Sequence, residues 1–331
     1  MRQVVARRAG GPEVLEVVDV PEPAPGPGEV VVRTEAIGVN FADVWIRMGA
    51  DGEPPFKPGI EVAGHVVAVG EEVESRHLGE RVVATPYETR CGYAELVRAP
   101  AELAFPLPDD LEFTVAAALP LNYLTAYAAV EHAARPRWRE RVLVHAAAGG
   151  VGLAAVQLAR RREAELYATA SAGKHDALLE EGVAHAIDYR TDDWVEEIHR
   201  LTGDGVDVVV DGVGEDGFRK SLGVLRFGGR VVAYGFTSGV AGPTAELPDL
   251  EDELATGVPL LELFSDARGL VGVHMGAPAL ILHRWWADIL AWLERDEIAP
   301  RIDRVLPLER AAEAHARLHA RENVGKIVLV P

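Results

Sequence analysis

A glycine turn near the middle of the chain constrains the fold more than any other feature. The apolar run 142–144 leads into the turn 145–152, and residues 150–162 continue with helical periodicity. A strand, a glycine turn and a helix start in this order are the context in which such a motif binds a dinucleotide. Small residues let the backbone approach a pyrophosphate, and the helix N-terminus offers free N–H groups with partial positive charge.

The glycine turn departs from the pattern G-x-G-x-x-G at its first position, which is Ala147. The other two glycines are kept. We therefore expect four residues of the turn to hold the cofactor phosphates: Gly149, Gly150, Val151 and Gly152.

Strands and helices alternate after the turn. The pattern predicts strands at 142–144, 166–170, 186–188, 206–210 and 229–235, with helices over 150–162, 174–181, 194–201 and 218–225. This order predicts an α/β protein with a doubly wound parallel sheet. Segment 239–264 is acidic and holds three prolines, so we expect a loop and one helix over the cleft there.

The first region of the chain is rich in short β segments. Strands are predicted at 15–20, 29–34, 62–69 and 81–84, with glycines and prolines between them, which indicates a compact barrel or sandwich. Helices are predicted at 280–294 and 308–318, followed by a strand at 325–330. We expect this last segment to return to the N-terminal domain, so that two domains enclose a cleft.

Composition excludes several classes of protein. The 331 residues suit two domains, and the net charge of −19 argues against nucleic acid and anionic membranes as partners. The single cysteine, Cys91, excludes a disulfide framework and a cysteine-rich zinc site. The chain has neither an apolar run near the ~20 residues of a membrane span nor a signal-peptide core. These features predict a cytoplasmic protein without a membrane span.

Several short motifs, the glycine turn among them, carry a resemblance to a known family. Residues 10–15, 38–43, 58–64 and 146–152 resemble those of the zinc-free quinone oxidoreductases, in the medium-chain dehydrogenase/reductase superfamily. Residues 122–127, 169–175, 187–189 and 323–326 are similar to the branch that contains the vesicle amine transport protein homologues. The resemblance implies a homodimer with three segments: a GroES-like, β-rich substrate domain at 1–118, an inserted Rossmann domain at 119–270, and a return to the substrate domain at 271–331.

The end of the second Rossmann strand indicates which dinucleotide binds. An acidic residue holds the adenosine ribose of NAD at this point, whereas this chain has Ser171, closely followed by Lys174. A hydroxyl and an ammonium suit a 2′-phosphate, which a carboxylate would repel. Tyr189 matches a tyrosine that contacts this phosphate in the family. The sequence therefore favours NADPH over NADH.

Other residues are expected at the cofactor by resemblance or by their place at strand ends. The resemblance puts the nicotinamide near Asn40 and Thr125. The carboxyl ends of later Rossmann strands and the returning segment supply further candidates: Gly212, Val213, Gly235, Phe236, Phe264 and Asn323.

The sequence predicts no metal. Zinc enzymes of the superfamily have a cysteine where this chain has Asn40, and a histidine where Ile60 precedes Glu61. Zinc needs several nitrogen or sulfur ligands in a tetrahedral arrangement. His315 and His319 lie four residues apart on a predicted helix, where we expect them to be solvated.

Without a metal or an evident acid–base dyad, the substrate must already be electrophilic, as quinones and α,β-unsaturated carbonyls are. Asn40 is the first candidate to stabilise the oxyanion that forms after hydride transfer. Trp45 stands where relatives often have tyrosine; it can stack on a flat substrate but offers no hydroxyl proton. Water, Tyr123 or Tyr127 would then protonate the product.

Two other functions stay open from the sequence. One is an enoyl-thioester reductase of a biosynthetic pathway, for which Arg47 and Lys57 would form a basic patch at the cleft mouth. The other is a regulatory protein that binds NADPH or a lipid-like ligand without turnover, because a fold does not determine a function.

Overall fold

A computed structural model describes residues 1–50, 53–86, 91–214, 218–237 and 260–331. These residues form a six-stranded sheet, a seven-stranded sheet and a two-stranded sheet. The strands are β1 Arg2–Ala6, β2 Leu15–Asp19, β3 Glu29–Val39, β4 Val62–Val69, β5 Arg81–Ala84, β6 Leu96–Pro100, β7 Ala104–Pro106, β8 Arg141–Val144, β9 Glu165–Ala170, β10 His185–Asp188, β11 Val206–Asp211, β12 Leu225–Ala233, β13 Gly269–Gly272, β14 Ile302–Pro307 and β15 Lys326–Val330.

The helices lie between these strands. They are α1 Phe41–Arg47, α2 Phe113–Ala116, α3 Pro120–Ala126, α4 Gly150–Arg161, α5 His175–Glu180, α6 Trp194–Thr202, α7 Arg219–Gly223, α8 Leu260–Ser265, α9 Ala279–Glu294 and α10 Ala311–His319. A π-helical segment, Tyr127–Ala134, extends α3. The mixture of helices with a parallel and a largely antiparallel sheet confirms the predicted α/β fold class.

The six-stranded sheet is parallel throughout, with the order β10-β9-β8-β11-β12-β13. This is the doubly wound order, because β9 and β10 are added on one side of β8 and the strands from β11 onward are added on its other side. Every residue of β11 is buried, as its continuous valines predict for a strand covered on both faces. Ligands of such sheets bind at the carboxyl ends of the strands where the order switches sides.

The seven-stranded sheet combines strands from both ends of the chain. Its order is β14-β15-β3-β4-β5-β7, and β6 also pairs with β3. β15 runs antiparallel to β3, with Ile327 opposite Val39. Just before β15, the Gly325 N–H donates to the Ala148 carbonyl at 2.9 Å, which joins this sheet to the glycine turn. The domain limits at residues 118 and 270 stay a prediction.

Two predicted elements differ from the structure. The helix predicted at 218–225 is only α7, because Leu225 already begins β12 and pairs with Val206. β12 therefore starts four residues before the predicted strand at 229. In the segment predicted as a loop and a helix over the cleft, residues 239–259 lie outside the described residues, and α8 covers the end of the segment.

The histidines of α10 were expected to be solvated, which is wrong for His315. It is fully buried, with Nδ1 3.4 Å from an Arg47 guanidinium nitrogen and Nε2 3.0 Å from the Tyr93 hydroxyl. The second Arg47 guanidinium nitrogen lies 3.2 Å from His319 Nδ1. Burial, together with the nearby Arg47 charge, holds the pKa of His315 well below its usual range. A neutral imidazole that donates from Nε2 to Tyr93 fits these contacts, since the tyrosine proton points to Asp43.

Asp43 in α1 gives a testable pH dependence. Its carboxylate accepts from the Asn40 N–H at 2.8 Å, the Gly59 N–H at 2.9 Å and the Tyr93 hydroxyl at 3.1 Å. Burial outweighs these donors and raises the pKa of Asp43 from 3.8 to about 6. The folded state therefore binds this proton more tightly than the unfolded state does. Its contribution to stability is complete below the unfolded pKa and is lost as pH rises through the folded pKa.

We expect the difference in unfolding free energy between wild type and Asp43→Asn to fall by about 3 kcal/mol as pH rises from about 3 to about 7. Urea unfolding at a series of pH values measures this difference. The variant serves as its own reference, because every other titrating group is common to both proteins. A difference that stays flat over this range would show that Asp43 titrates at its ordinary pKa.

Candidate cofactor and substrate cleft

A cleft of about 1390 Å³ lies at the carboxyl ends of the parallel strands, between the two large sheets. Its walls include α1, the glycine turn, the ends of β9 to β12 and the segment before β15. Pockets for a single drug-sized ligand usually measure about 300–1,000 Å³. This cleft therefore has room for a dinucleotide and a further small molecule.

The glycine turn forms one wall through close backbone packing. A side chain at Gly152 would lie against the Ala146 carbonyl and 2.7 Å from Ala147 Cα, and one at Gly150 would lie 2.5 Å from Asn122 Nδ2. Ala146 itself has a left-handed φ of 48°, which is uncommon away from glycine. No side chain of the described chain caps α4 at its first residue, so the opening N–H groups face the cleft.

Next to the glycine turn, Asp211 at the end of β11 orders the neighbouring loop of the cleft. One carboxylate oxygen accepts from the Val213 N–H at 2.7 Å and the Gly214 N–H at 3.1 Å, and the other accepts from the Ser221 hydroxyl at 2.6 Å. Ser221 in turn lies 3.3 Å from His145 Nε2. These contacts fix the loop that presents Gly212 and Val213 to the cleft.

A cluster of cations lies beyond the end of β9. Lys174 donates from Nζ to the Asn323 carbonyl at 2.7 Å and lines the cleft with Ser171, Tyr189 and Arg321. Burial, followed by the charge of Arg190, lowers the pKa of Lys174, and Arg321 also lowers it. In a chain of net charge −19, a concentration of positive charge at one end of a cleft is a feature that an anionic ligand would use.

The floor of the cleft holds a buried network of Asn40, Glu61 and Lys326. The Lys326 ammonium donates to Asn40 Oδ1 at 2.5 Å and to Glu61 Oε1. Asn40 Nδ2 donates to Glu61 Oε1 at 2.7 Å and to the Gly38 carbonyl at 3.3 Å. Both amide hydrogens of Asn40 are therefore committed within the protein. This corrects the expectation that Asn40 donates to a substrate oxyanion.

Most of the residues predicted at the site come together in the cleft. Those that line it are Asn40, Trp45, Thr125, Gly149, Gly150, Val151, Gly152, Ser171, Lys174, Tyr189, Gly212, Val213, Gly235, Phe236 and Asn323. Phe264 does not line it; its side chain is 87% exposed on α8. The roles of these residues toward a ligand stay predictions.

The two tyrosines predicted as proton donors lie outside the cleft, which corrects that prediction. Tyr123 is buried and donates to Gln157 Oε1 at 2.7 Å. Tyr127 donates to Asp288 Oδ2 at 2.7 Å and stacks on Trp285 with 5.0 Å between ring centroids. Burial raises the pKa of both phenols above the usual value, and the Asp288 carboxylate raises that of Tyr127 further.

The sequence reasoning missed several residues that line the cleft, among them Lys326 and Arg321. Lys326 precedes the apolar run 327–330, and a lysine at the start of a buried strand needs an acidic or polar partner. That signal was present in the sequence. Arg321 carried no comparable signal, because its approach to Lys174 depends on how the returning segment folds back.

Comparisons with known proteins agree with the fold and the cleft. Residues 26–109 match the alcohol dehydrogenase GroES-like domain, and residues 181–329 match the zinc-binding dehydrogenase family. The synaptic vesicle membrane protein VAT-1 homolog of Rattus norvegicus is 39% identical, over 100% of this chain and 84% of its own length.

Two solved structures are similar over nearly all of their length. Escherichia coli quinone oxidoreductase complexed with NADPH has a TM-score of 0.86 and 31% identity, with 100% of both chains covered. CurK enoyl reductase has a TM-score of 0.83 and 28% identity, with 99% of this chain and 98% of the other covered. The chain therefore belongs to the medium-chain dehydrogenase/reductase superfamily of oxidoreductases. Its relatives include the VAT-1 homologues and the quinone oxidoreductases, which confirms the resemblance carried by the motifs.

The name of one matched family refers to zinc, and the residues of this cleft do not fit that metal. Asn40 and Ile60 stand where the zinc enzymes were expected to place ligands, and Glu61 is engaged by the Lys326 ammonium and by the Leu121 N–H at 2.8 Å. The described ranges contain no group of three or more histidine, cysteine or acidic side chains placed to hold a metal ion. Tetrahedral zinc needs such a set.

Among the described segments, no helix is both long and apolar enough to cross a bilayer. The cytoplasmic location stays a prediction.

Proposed function

We propose that the protein binds NADPH and, without zinc, directs its hydride to an electrophilic carbon of a quinone or an α,β-unsaturated carbonyl compound. The observation that carries this proposal is the cation cluster of Lys174 and Arg321, at the end of β9 beside the glycine turn. The quinone oxidoreductase structure with bound NADPH, similar over the whole chain, supports the same cofactor.

Three groups of residues would each bind a different part of the cofactor. The N–H groups at the start of α4 would hold the pyrophosphate, since a helix N-terminus favours anions. Ser171, Lys174 and Tyr189 would hold the 2′-phosphate, and Thr125 would lie against the nicotinamide. The bound cofactor supplies the hydride; the protein supplies its position and the polarity around the acceptor.

The remaining space suits a flat, conjugated acceptor. Beside Asn40 the cleft is lined by apolar side chains that include Trp45, Phe41, Ile60 and Leu121. An indole offers a flat apolar face on which a quinone ring or an enone can stack. Because the described residues of these walls provide no set of side chains that could hold zinc, an acceptor that is already electrophilic fits the cleft best.

Two other functions have specific support. The enoyl reductase similar in structure favours a thioester substrate, although Arg47, one of the two cations suggested for binding it, is fully buried. The VAT-1 homolog, whose name describes a vesicle membrane protein and no reaction, favours a binding role.

Loss of nicotinamide absorbance with a panel of acceptors tests the proposal. Purified protein and NADPH are mixed with quinones, enones and enoyl thioesters in parallel. We expect NADPH to be oxidised faster in the presence of quinones or enones than in the presence of enoyl thioesters. Faster reduction of the thioesters would favour the biosynthetic reductase, and tight NADPH binding without oxidation by any acceptor would favour the binding role.

We also propose that the protein is a homodimer. β13 is an edge strand of the parallel sheet, and its Val271 is 40% exposed, which leaves a hydrogen-bonding edge for a second copy. Light scattering should give twice the chain mass of 35.6 kDa. A mass equal to one chain at micromolar concentration would contradict this.

A further inference from the structure

We propose that Lys326 donates a hydrogen bond from its ammonium group to the substrate oxygen on which negative charge develops during hydride transfer. This assignment rests on the proposed function and names the group that the reaction needs at that oxygen. Asn40 and Glu61 act as positioning residues, because they hold the ammonium in place.

Lys326 has more hydrogen-bond donors than its described contacts use. The side chain is only 3% exposed, yet it lines the cleft beside Asn40. An ammonium has three N–H donors and no acceptor. The described contacts use two of them, on Asn40 Oδ1 and Glu61 Oε1, which leaves one for a ligand.

The polar side chains beside Lys326 are already committed to partners within the protein. A lysine can only donate, so the atom of Asn40 that faces it must be the carbonyl oxygen. The Asn40 amide nitrogen then donates to Glu61 and to the Gly38 carbonyl. Of the three side chains in this network, Lys326 is the one with a donor left for an incoming oxygen.

Lys326 and Glu61 form a buried pair of opposite charges. Glu61 is fully buried, and its second oxygen accepts from the Leu121 N–H at 2.8 Å, so the carboxylate is fixed next to the ammonium. A buried ion pair costs desolvation energy and is weak as a source of stability. A preorganised ammonium in such surroundings stabilises a developing oxyanion far better than it would in water.

With an enone as substrate, hydride transfer comes first and protonation follows. The hydride of NADPH forms a bond to the β-carbon, and the electron pair of the C=C bond moves so that the carbonyl oxygen becomes an enolate oxygen. That oxygen accepts the hydrogen bond from Lys326, which keeps its proton. The α-carbon then takes a proton from water as the C=O bond re-forms, and the products are the saturated ketone, NADP⁺ and a hydroxide ion that leaves to solvent.

A substrate-free readout tests the assignment. The probe is 4-nitrophenol, whose phenolate absorbs at a longer wavelength than the phenol, titrated into the protein with saturating NADP⁺. We expect the wild type to bind the phenolate in preference to the phenol. We expect the paired variant Lys326→Met/Glu61→Gln, which leaves no unpaired buried charge, to weaken phenolate binding roughly tenfold or more.

Glu61→Gln alone is the matched control. It keeps the ammonium, and the side-chain oxygen of the glutamine can still accept from Lys326, so its phenolate affinity should stay above that of the paired variant. Equal dissociation constants in the wild type and the paired variant, including no phenolate binding by either, would overturn the assignment. A merely structural pair would weaken binding in both variants alike.

Kinetics separate this assignment from the proposed function. With a quinone or enone that the wild type reduces, we expect the paired variant to lose roughly 100-fold in kcat. Its dissociation constant for NADPH should stay unchanged. Full kcat in the paired variant overturns the role of Lys326 and leaves the proposed function standing. Binding of NADPH by the wild type without oxidation by any acceptor overturns the proposed function, and the phenolate comparison then decides separately whether Lys326 binds an oxyanion.

Discussion

Gly152→Ala is expected to raise the dissociation constant of NADPH roughly 100-fold or more, because hydrogen bonds to a charged phosphate contribute about 1.5–3 kcal/mol each. The added methyl group would lie against the Ala146 carbonyl and 2.7 Å from Ala147 Cα. Both neighbours are backbone, so neither can rotate away. The turn must shift, and the N–H groups at the start of α4 lose their alignment with the pyrophosphate.

Quenching of protein fluorescence by NADPH measures this change. Gly223→Ala is the matched control, since Gly223 is also a helical glycine but a side chain there would meet nothing within 4 Å. The control should bind NADPH as the wild type does. Wild-type affinity in Gly152→Ala, with both variants folded by circular dichroism, would show that the glycine turn does not carry the phosphates.

Lys174→Met is expected to raise the dissociation constant of NADPH about 10-fold to 100-fold. Loss of one charge-assisted hydrogen bond usually weakens binding by about this factor. Affinity for NADH should change by no more than about twofold, because NADH lacks the 2′-phosphate that the ammonium meets. Arg321 remains beside the phosphate in this variant, so binding is weakened and not abolished.

Titration with both cofactors at two salt concentrations tests this prediction. Lys57→Met is the control, because this substitution removes the same charge. Lys57 is exposed and does not line the cleft. The preference of the wild type for NADPH should also decrease as salt screens the cluster. An equal loss of affinity for NADPH and NADH in Lys174→Met would show that Lys174 supports the fold of the cleft instead of reading the 2′-phosphate.

The parts of the fold that follow from local sequence were predictable. The glycine turn and α4 have their signal within one stretch of chain, and β11 is a run of valines between charged residues. The cleft residues Ser171 and Lys174 could be placed because they follow a predicted strand at a known distance from the turn. The chemistry of these two side chains and their spacing from the turn were sufficient to place them in the cleft.

The start of β12 could not be predicted from periodicity. Residues 218–225 have apolar positions that fit a short helix as well as the start of a strand. Pairing of Leu225 with Val206, a tertiary contact, decides where the strand begins. Leu225 therefore belongs to the sheet, although the local pattern also favoured a helix.

Contacts between distant residues explain the other differences. His315 was expected to be solvated because its own helix looks polar, yet Arg47, 268 residues away, gives it a buried partner. Lys326 meets Asn40 across 286 residues. A single sequence shows that such side chains need partners, and only the folded sheet shows which partners they have.

The most direct measurement of the central claim follows deuterium from the cofactor to the product. NADPH carrying deuterium at C4 of the reduced nicotinamide is mixed with the protein and an enone, and the product is examined by mass spectrometry and NMR. We predict one deuterium at the β-carbon of the saturated ketone and none at the α-carbon, which takes its proton from water. Deuterium that is lost to solvent, or an enone that returns unreduced while NADPH stays bound, would contradict the proposal that this cleft transfers a hydride.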